Sequence, residues 1–213
     1  MSLFKDNALN LIQLEKHKFP KEVLFKNKGV AVYPVTWSDL NNKSIIKTLK
    51  NWRNENQIAF LKIFSVTENG TLTWLEKSVL KREDRILFFV DDIHGKTIGH
   101  IGISSFNYED KTCEIDNIIR GDISSQSKVM EHAVDGLLTW TFEKINPKSI
   151  RLRVFSDNTK AIALYYKLGF KLDALHPLEK EIKENEIEWI DSKNKIDRFF
   201  ISMELKNMRP NDH

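Results

Sequence analysis

Two carboxylates and one phenol stand out as the side chains whose type and spacing suit proton transfer. Glu114 and Asp116 alternate with Cys113, Ile115 and Asn117, so extended backbone places both carboxylates on one face. A carboxylate facing a packed interior is costly unless it is ion-paired or used, and two readings satisfy that: a general base, or a partner for an arginine. Glu114 is the first candidate base, Asp116 the second, and His100 on the preceding strand the third. Tyr165 lies in a helical pattern, and Tyr166 points about 100° away around the helix. Cys113 is the single thiol and has no histidine near it in sequence, so nucleophilic catalysis by cysteine is not expected. The six histidines, at 17, 94, 100, 132, 176 and 213, are scattered, and no metal is expected.

The elements that must position these groups can be placed in order. VFSDNTKAIALYYKLGF, Val154 to Phe170, reads as strand, turn, helix, strand: Asn158 caps, Ala161, Ile162, Leu164, Tyr165 and Leu168 recur at helical spacing, and Gly169 stops the helix. Upstream, Ile86 to Ile93, Thr97 to Phe106 and Thr112 to Ile119 form a three-strand meander. After the polar loop Asp122 to Ser127, a helix runs from Lys128 to Ile145 with Met130, Ala133, Val134, Leu137 and Ile145 inward, and Asn146-Pro147 ends it. Strand, loop, helix and strand from Thr112 to Phe155 make a βαβ unit, so its two strands should run parallel. Nearer the start, a hairpin spans Val23 to Val35, a helix capped at Thr36 runs to Asn54, Ile58 to Phe64 is a short helix or turn, and Thr71 or Thr73 caps a third helix. Beyond Leu175 the chain is highly charged from Glu179 to Glu188, and a last strand covers Asp197 to Leu205.

Asn158, Ala161, Leu164-Tyr165 and Gly169-Phe170, with this order of elements, resemble the acetyl-CoA site of the GNAT superfamily of N-acetyltransferases. The likeness covers roughly Val30 to Leu205 and implies an α/β (α+β) single domain with a central mixed, mostly antiparallel sheet flanked by helices. It divides the chain into an extension at 1–25, the acetyltransferase domain at 26–206 and a tail at 207–213. It also implies acetyl transfer from acetyl-CoA to a primary amine, with Tyr165 near the thioester sulfur as general acid and a backbone N–H near Asn117 to Ile119 stabilising the oxyanion. The implied coenzyme contacts are Ile118, Ile119, Gln126, Ser127, Lys128, Val129, Met130, Asn158, Ala161 and Tyr165. The pyrophosphate loop departs from the family spelling: Arg120 to Lys128 contains one glycine, so Ser125, Gln126, Ser127 and Lys128 must bring their amides to the phosphates at a helix N-terminus.

Trp52-Arg53-Asn54, Thr73-Trp74-Leu75-Glu76 and VFSDN are similar to members that acetylate amino sugars carried on nucleotides, and Trp-Arg-Asn also occurs in acetyltransferases acting on the N-termini of ribosomal proteins. Trp52 and Trp74 are therefore candidate stacking walls, Arg53 a phosphate partner, and His100 a further substrate contact. The amino sugar is the preferred acceptor; a protein N-terminus and a catalytically silent binding module are the alternatives. A formal charge of +3 in 213 residues does not mark a nucleic-acid binder, and the first residues lack a long apolar run, so neither membrane nor export is expected and the location expected is cytoplasmic. Expected partners are a small-molecule amine and, as an option, a second copy of the chain in a homodimer.

Overall fold

A computed structural model describes residues 3–18, 22–123 and 128–207. Its strands β1 (Phe25–Asn27), β2 (Val30–Pro34), β3 (Lys62–Ile63), β4 (Ile86–Asp91), β5 (Thr97–Asn107), β6 (Thr112–Arg120), β7 (Ser149–Phe155), β8 (Lys171–Ile182), β9 (Ile187–Asp191) and β10 (Arg198–Lys206) form one sheet. Their spatial order is β1-β2-β4-β5-β6-β7-β10-β8-β9-β3. Every neighbouring pair is antiparallel except β6 with β7, the parallel pair of the βαβ unit.

Helices cover both faces, and the central strands show it. On β4, Ile86, Phe88 and Val90 enter one buried cluster with α1 (Leu3–His17) and α4 (Val129–Lys144). The alternate residues Leu87 and Phe89 enter a second cluster with α2 (Lys43–Glu55) and the helical run from α3 (Glu68–Trp74) into a π-helical turn at Leu75–Leu80. A strand buried on both faces must be apolar at every position, and β4 is from Ile86 to Val90.

The N-terminal segment is part of the body. Phe4, Ala8 and Ile12 of α1 are buried in the main core, with Phe4 against Phe106 and Tyr108. Lys16 is fully buried, where its ammonium donates to the carbonyls of Leu80 (3.2 Å) and Arg82, and burial pushes its pKa down to about 8.

Two local expectations change, and one unassigned stretch gains a structure. The first long helix is split: a 3₁₀ turn at Trp37–Asn41 precedes α2, and Asn42, not Thr36, caps it by accepting from Ser44 N (3.1 Å) and Ile45 N (3.3 Å). The cap of α3 is Thr67, which accepts from Gly70 N at 3.1 Å, whereas Thr71 lies inside the helix and is buried. The charged stretch Glu179 to Glu188 is the β8–β9 hairpin, near the sheet edge, and its side chains are mostly solvated. Charge therefore alternates with little apolar signal, and Glu188 pairs across strands with Lys183 (2.6 Å) and Lys62 (2.8 Å). No helix among the described residues is long and apolar enough to cross a membrane.

Candidate active site

The site begins where two parallel strands separate. β6 and β7 pair only from Thr112↔Ser149 to Glu114↔Arg151, and beyond that register they share no ladder. A bulge in β6 accompanies the separation. Pairing with β5 shifts by one residue between Gly102↔Asp116 and His100↔Ile119, and Asn117 takes φ 49°, the left-handed conformation that asparagine tolerates better than most side chains. His100 holds the bulge by donating from Nδ1 to the Asn117 carbonyl at 2.8 Å. Its burial pushes the imidazole pKa down to about 4, outweighing that carbonyl, so the ring is neutral at physiological pH with its proton on Nδ1.

The gap opens into a cavity of about 680 Å³. One lip is Glu114 to Ile119 of β6, the other Leu152 to Phe155 of β7; Asn158, the cap of α5 (Thr159–Lys167), Tyr165 on that helix, and Arg53, Phe60, Thr71 and Trp74 also line it.

Both candidate bases face this cavity, and each has an arginine partner. Asp116 Oδ2 accepts from Arg85 Nη2 and from Ser104 Oγ, both at 2.8 Å, while Oδ1 is buried without a hydrogen bond. Its close approach to β5 needs Gly102, where a Cβ would come within 2.5 Å of Oδ1. Glu114 Oε2 accepts from Arg153 Nη2 at 3.2 Å.

The α5 element folds as its sequence dictates. Asn158 Oδ1 accepts from Ala161 N at 3.2 Å, capping the helix. At the other end Gly169, at φ 93°, lets Gly169 N reach Tyr166 O and Phe170 N reach Tyr165 O, each at 3.0 Å, the paired bonds of a Schellman stop. Tyr165 is thereby fixed with its ring against Phe170, buried, and its hydroxyl makes no hydrogen bond among the described residues. Burial raises its pKa to about 12, so the phenol keeps its proton across the physiological range. Tyr166 is exposed.

Of the other candidates, Ile118, Ile119, Asn158, Arg53, Trp74 and His100 line the cavity. Lys128, at φ 75°, leads into α4, whose first residues Val129 and Met130 are buried and lie outside the cavity wall, as does Ala161. Gln126 and Ser127 lie outside the described residues, with Ser124 and Ser125. Trp52 is corrected from a stacking wall to a core residue. It is 7 % exposed, its ring centre 6.1 Å from that of His100, and Gly121 lies so close that a Cβ there would meet the indole at 2.0 Å. Sequence reasoning missed Arg85, Phe60 and Thr71, none of which carries a spacing signal toward β6. Asn117 could have been found as the bulge residue, since asparagine inside an apolar strand is a recognised marker of left-handed backbone.

This arrangement leaves room for an extended ligand. The separated lips leave backbone groups of β6 uncommitted to β7, and an unpartnered phenol stands at the wall. Among the described residues no cluster of metal-ligating side chains occurs.

Comparison with known proteins gives the same picture. The family profile described as acetyltransferase (GNAT) domain matches residues 33–171. No curated protein sequence matches the chain significantly. Among solved structures, spermidine N-acetyltransferase from Vibrio cholerae in complex with CoA and spermine is 19% identical, with a TM-score of 0.64 over 84% of this chain and 96% of that one. A dodecameric form of spermidine N-acetyltransferase from the same organism is 20% identical, with a TM-score of 0.59 over 84% and 95%. Another, spermidine/spermine N-acetyltransferase with manganese ions, is 20% identical, with a TM-score of 0.59 over 84% and 94%. At such identities these neighbours establish the fold, and the family profile, which spans more than half of the residues, establishes membership: the chain belongs to the acetyltransferase (GNAT) family and is an acetyl-CoA-dependent N-acetyltransferase.

Proposed function

We propose that the cavity between β6 and β7 is where the acetyl group passes from acetyl-CoA to a primary amine, with Glu114, Asp116 and Tyr165 as the proton-handling residues. The observation that carries this is the loss of pairing past Glu114↔Arg151, which opens a cleft lined at once by both carboxylates and the phenol. The amine nitrogen forms a bond to the thioester carbonyl carbon, the carbon–sulfur bond breaks, the amine proton passes to Glu114 directly or through water, and the thiolate takes a proton from Tyr165. A backbone N–H of Ile118 or Ile119 supports the oxyanion, because the bulge at Asn117 turns the strand where its partner has left. A phenol with a pKa near 12 is a weak acid but a permanent donor. It favours the developing thiolate by hydrogen bonding even before the proton moves.

The coenzyme's pyrophosphate is proposed to lie at the start of α4, on amides from about residue 126 to Met130, where the helix dipole favours an anion. Calorimetric titration with acetyl-CoA, followed by free-thiol release in the presence of amines, tests the reading. Absence of binding at millimolar ligand would remove it.

For the acceptor, an amino sugar carried on a nucleotide is supported by Phe60, Phe64 and Trp74, aromatic walls on which a ring can stack. A polyamine is the second reading, favoured by the relative solved with CoA and spermine. Self-association is proposed on the strength of the dodecameric relative, and a cytoplasmic location accompanies the small-molecule reading.

A further inference from the structure

The acceptor side of the cavity holds an uncompensated cation. Three of the basic residues on the wall have carboxylate partners: Arg85 with Asp116 (2.8 Å), Arg153 with Glu114 (3.2 Å) and Lys62 with Glu188 (2.8 Å). Arg53, in the last turn of α2, has none among the described residues. Its Nη2 donates to the Lys62 carbonyl at 2.6 Å and its guanidinium lies over Phe60 at 3.8 Å, but Nη1 is buried with no hydrogen bond. Burial holds its pKa below the usual arginine value, the mark of a cation short of solvent and counter-charge.

A second unpartnered donor belongs to a residue that also lines the cavity. Thr71 of α3 is 4 % exposed, and its Oγ1 is buried without a partner. A threonine inside a helix ordinarily bonds the carbonyl three or four residues back, and this one does not. Leaving a buried donor unmade costs about 1–3 kcal/mol, and both residues that carry one line the cavity.

We infer that Arg53 and Thr71 form a subsite for an anionic group, carboxylate or phosphate, borne by the acceptor amine. The inference rests on the acetyltransferase reading of the cavity and fixes its substrate class. Arg53 brings a positive charge with guanidinium donors left over from its bond to Lys62, Thr71 adds a hydroxyl, and Phe60 holds the guanidinium plane in place. A polyamine would bring further positive charge to the one wall cation that has no carboxylate beside it. Acid-bearing amines are therefore acetylated in preference to spermidine.

The test uses the full chain with saturating acetyl-CoA and compares kcat/KM for phosphoethanolamine, β-alanine, ethanolamine, propylamine and spermidine. The expected result is a preference of about 10–100-fold for the acid-bearing amine over its neutral counterpart, the range of a charge-assisted hydrogen bond. The phosphoethanolamine and β-alanine arms separate phosphate from carboxylate. Arg53→Gln should abolish the preference while leaving acetyl-CoA affinity unchanged. Thr71→Val, which keeps the side-chain shape and removes only an unbonded hydroxyl, should weaken the preference without lowering stability, a readout that a purely structural role would not move.

Equal rates for acidic and neutral amines, spermidine as the better acceptor, or a fall in acetyl-CoA affinity on Arg53→Gln would overturn the inference. If acetyl-CoA binds and none of the five amines turns over, free-thiol release with a nucleotide-linked amino sugar tests the catalytic reading separately. Calorimetry with phosphoethanolamine then decides the subsite: binding lost in Arg53→Gln supports it, and absent or unaltered binding overturns it.

Discussion

His100 Nδ1 and the carbonyl oxygen of Asn117 lie 2.8 Å apart, joining β5 to the bulge at which β6 leaves β7. The bond selects one tautomer of a neutral ring and holds Asn117 in left-handed backbone, so a buried histidine sets the direction of the strand that lines the cavity. It acts by positioning. With a pKa near 4 it is too weakly basic to deprotonate an amine at neutral pH.

Acid should therefore loosen this region. The folded His100 pKa is about 4 against 6.5 for a free histidine, so between these values the unfolded chain binds a proton that the folded chain does not. Stability falls as pH drops through that window, by at most about 1.4 kcal/mol per pH unit from this group, and the component is flat above it. Urea unfolding at several pH values, in the wild type and in His100→Gln, checks this; an identical acid dependence in the two proteins would show that other groups cause it.

Tyr165→Phe should slow the chemical step by about 10²–10⁴-fold at saturating acetyl-CoA. Melting temperature should hardly change, because the hydroxyl has no partner among the described residues to lose. Tyr166→Phe, at an exposed position, is the control. Single-turnover rates separate chemistry from product release, and equal rates in wild type and Tyr165→Phe would end the general-acid assignment.

Glu114→Gln should lower turnover at neutral pH by about 10²–10⁴-fold with little effect on acetyl-CoA affinity, since the base acts on the amine. Asp116→Asn should also cost stability, because Asp116 receives Arg85 and Ser104 in a partly buried site. Unchanged turnover in Glu114→Gln would move the base to Asp116 or water.

Gly121→Ala should destabilise the fold by about 1–3 kcal/mol, since the new methyl would sit 2.0 Å from the Trp52 indole between two packed elements. Trp52→Leu in the same chain should relieve part of that cost, giving a less than additive pair in denaturant unfolding. Strict additivity would mean that Trp52 and Gly121 do not touch in solution.

Sequence alone determined the features that nearest neighbours along the chain enforce. Asn158 caps, Gly169 stops the helix by taking positive φ, and the periods of the strand and helix around them place Tyr165 inward; the βαβ order required β6 and β7 to be parallel. These follow from short-range backbone geometry, which a run of ten or twenty residues carries. What only the tertiary structure decided depends on partners far apart in the chain. Arg85 reaches Asp116 across 31 positions and Arg153 reaches Glu114 across 39, so no local pattern told which carboxylates were paired. Trp52 became core because Gly121 covers it, and Arg53 became a cavity cation because Phe60 and the Lys62 carbonyl hold it there. The charged run after Leu178 became a hairpin because strands near a sheet edge need little apolar surface when water and cross-strand ion pairs satisfy their side chains.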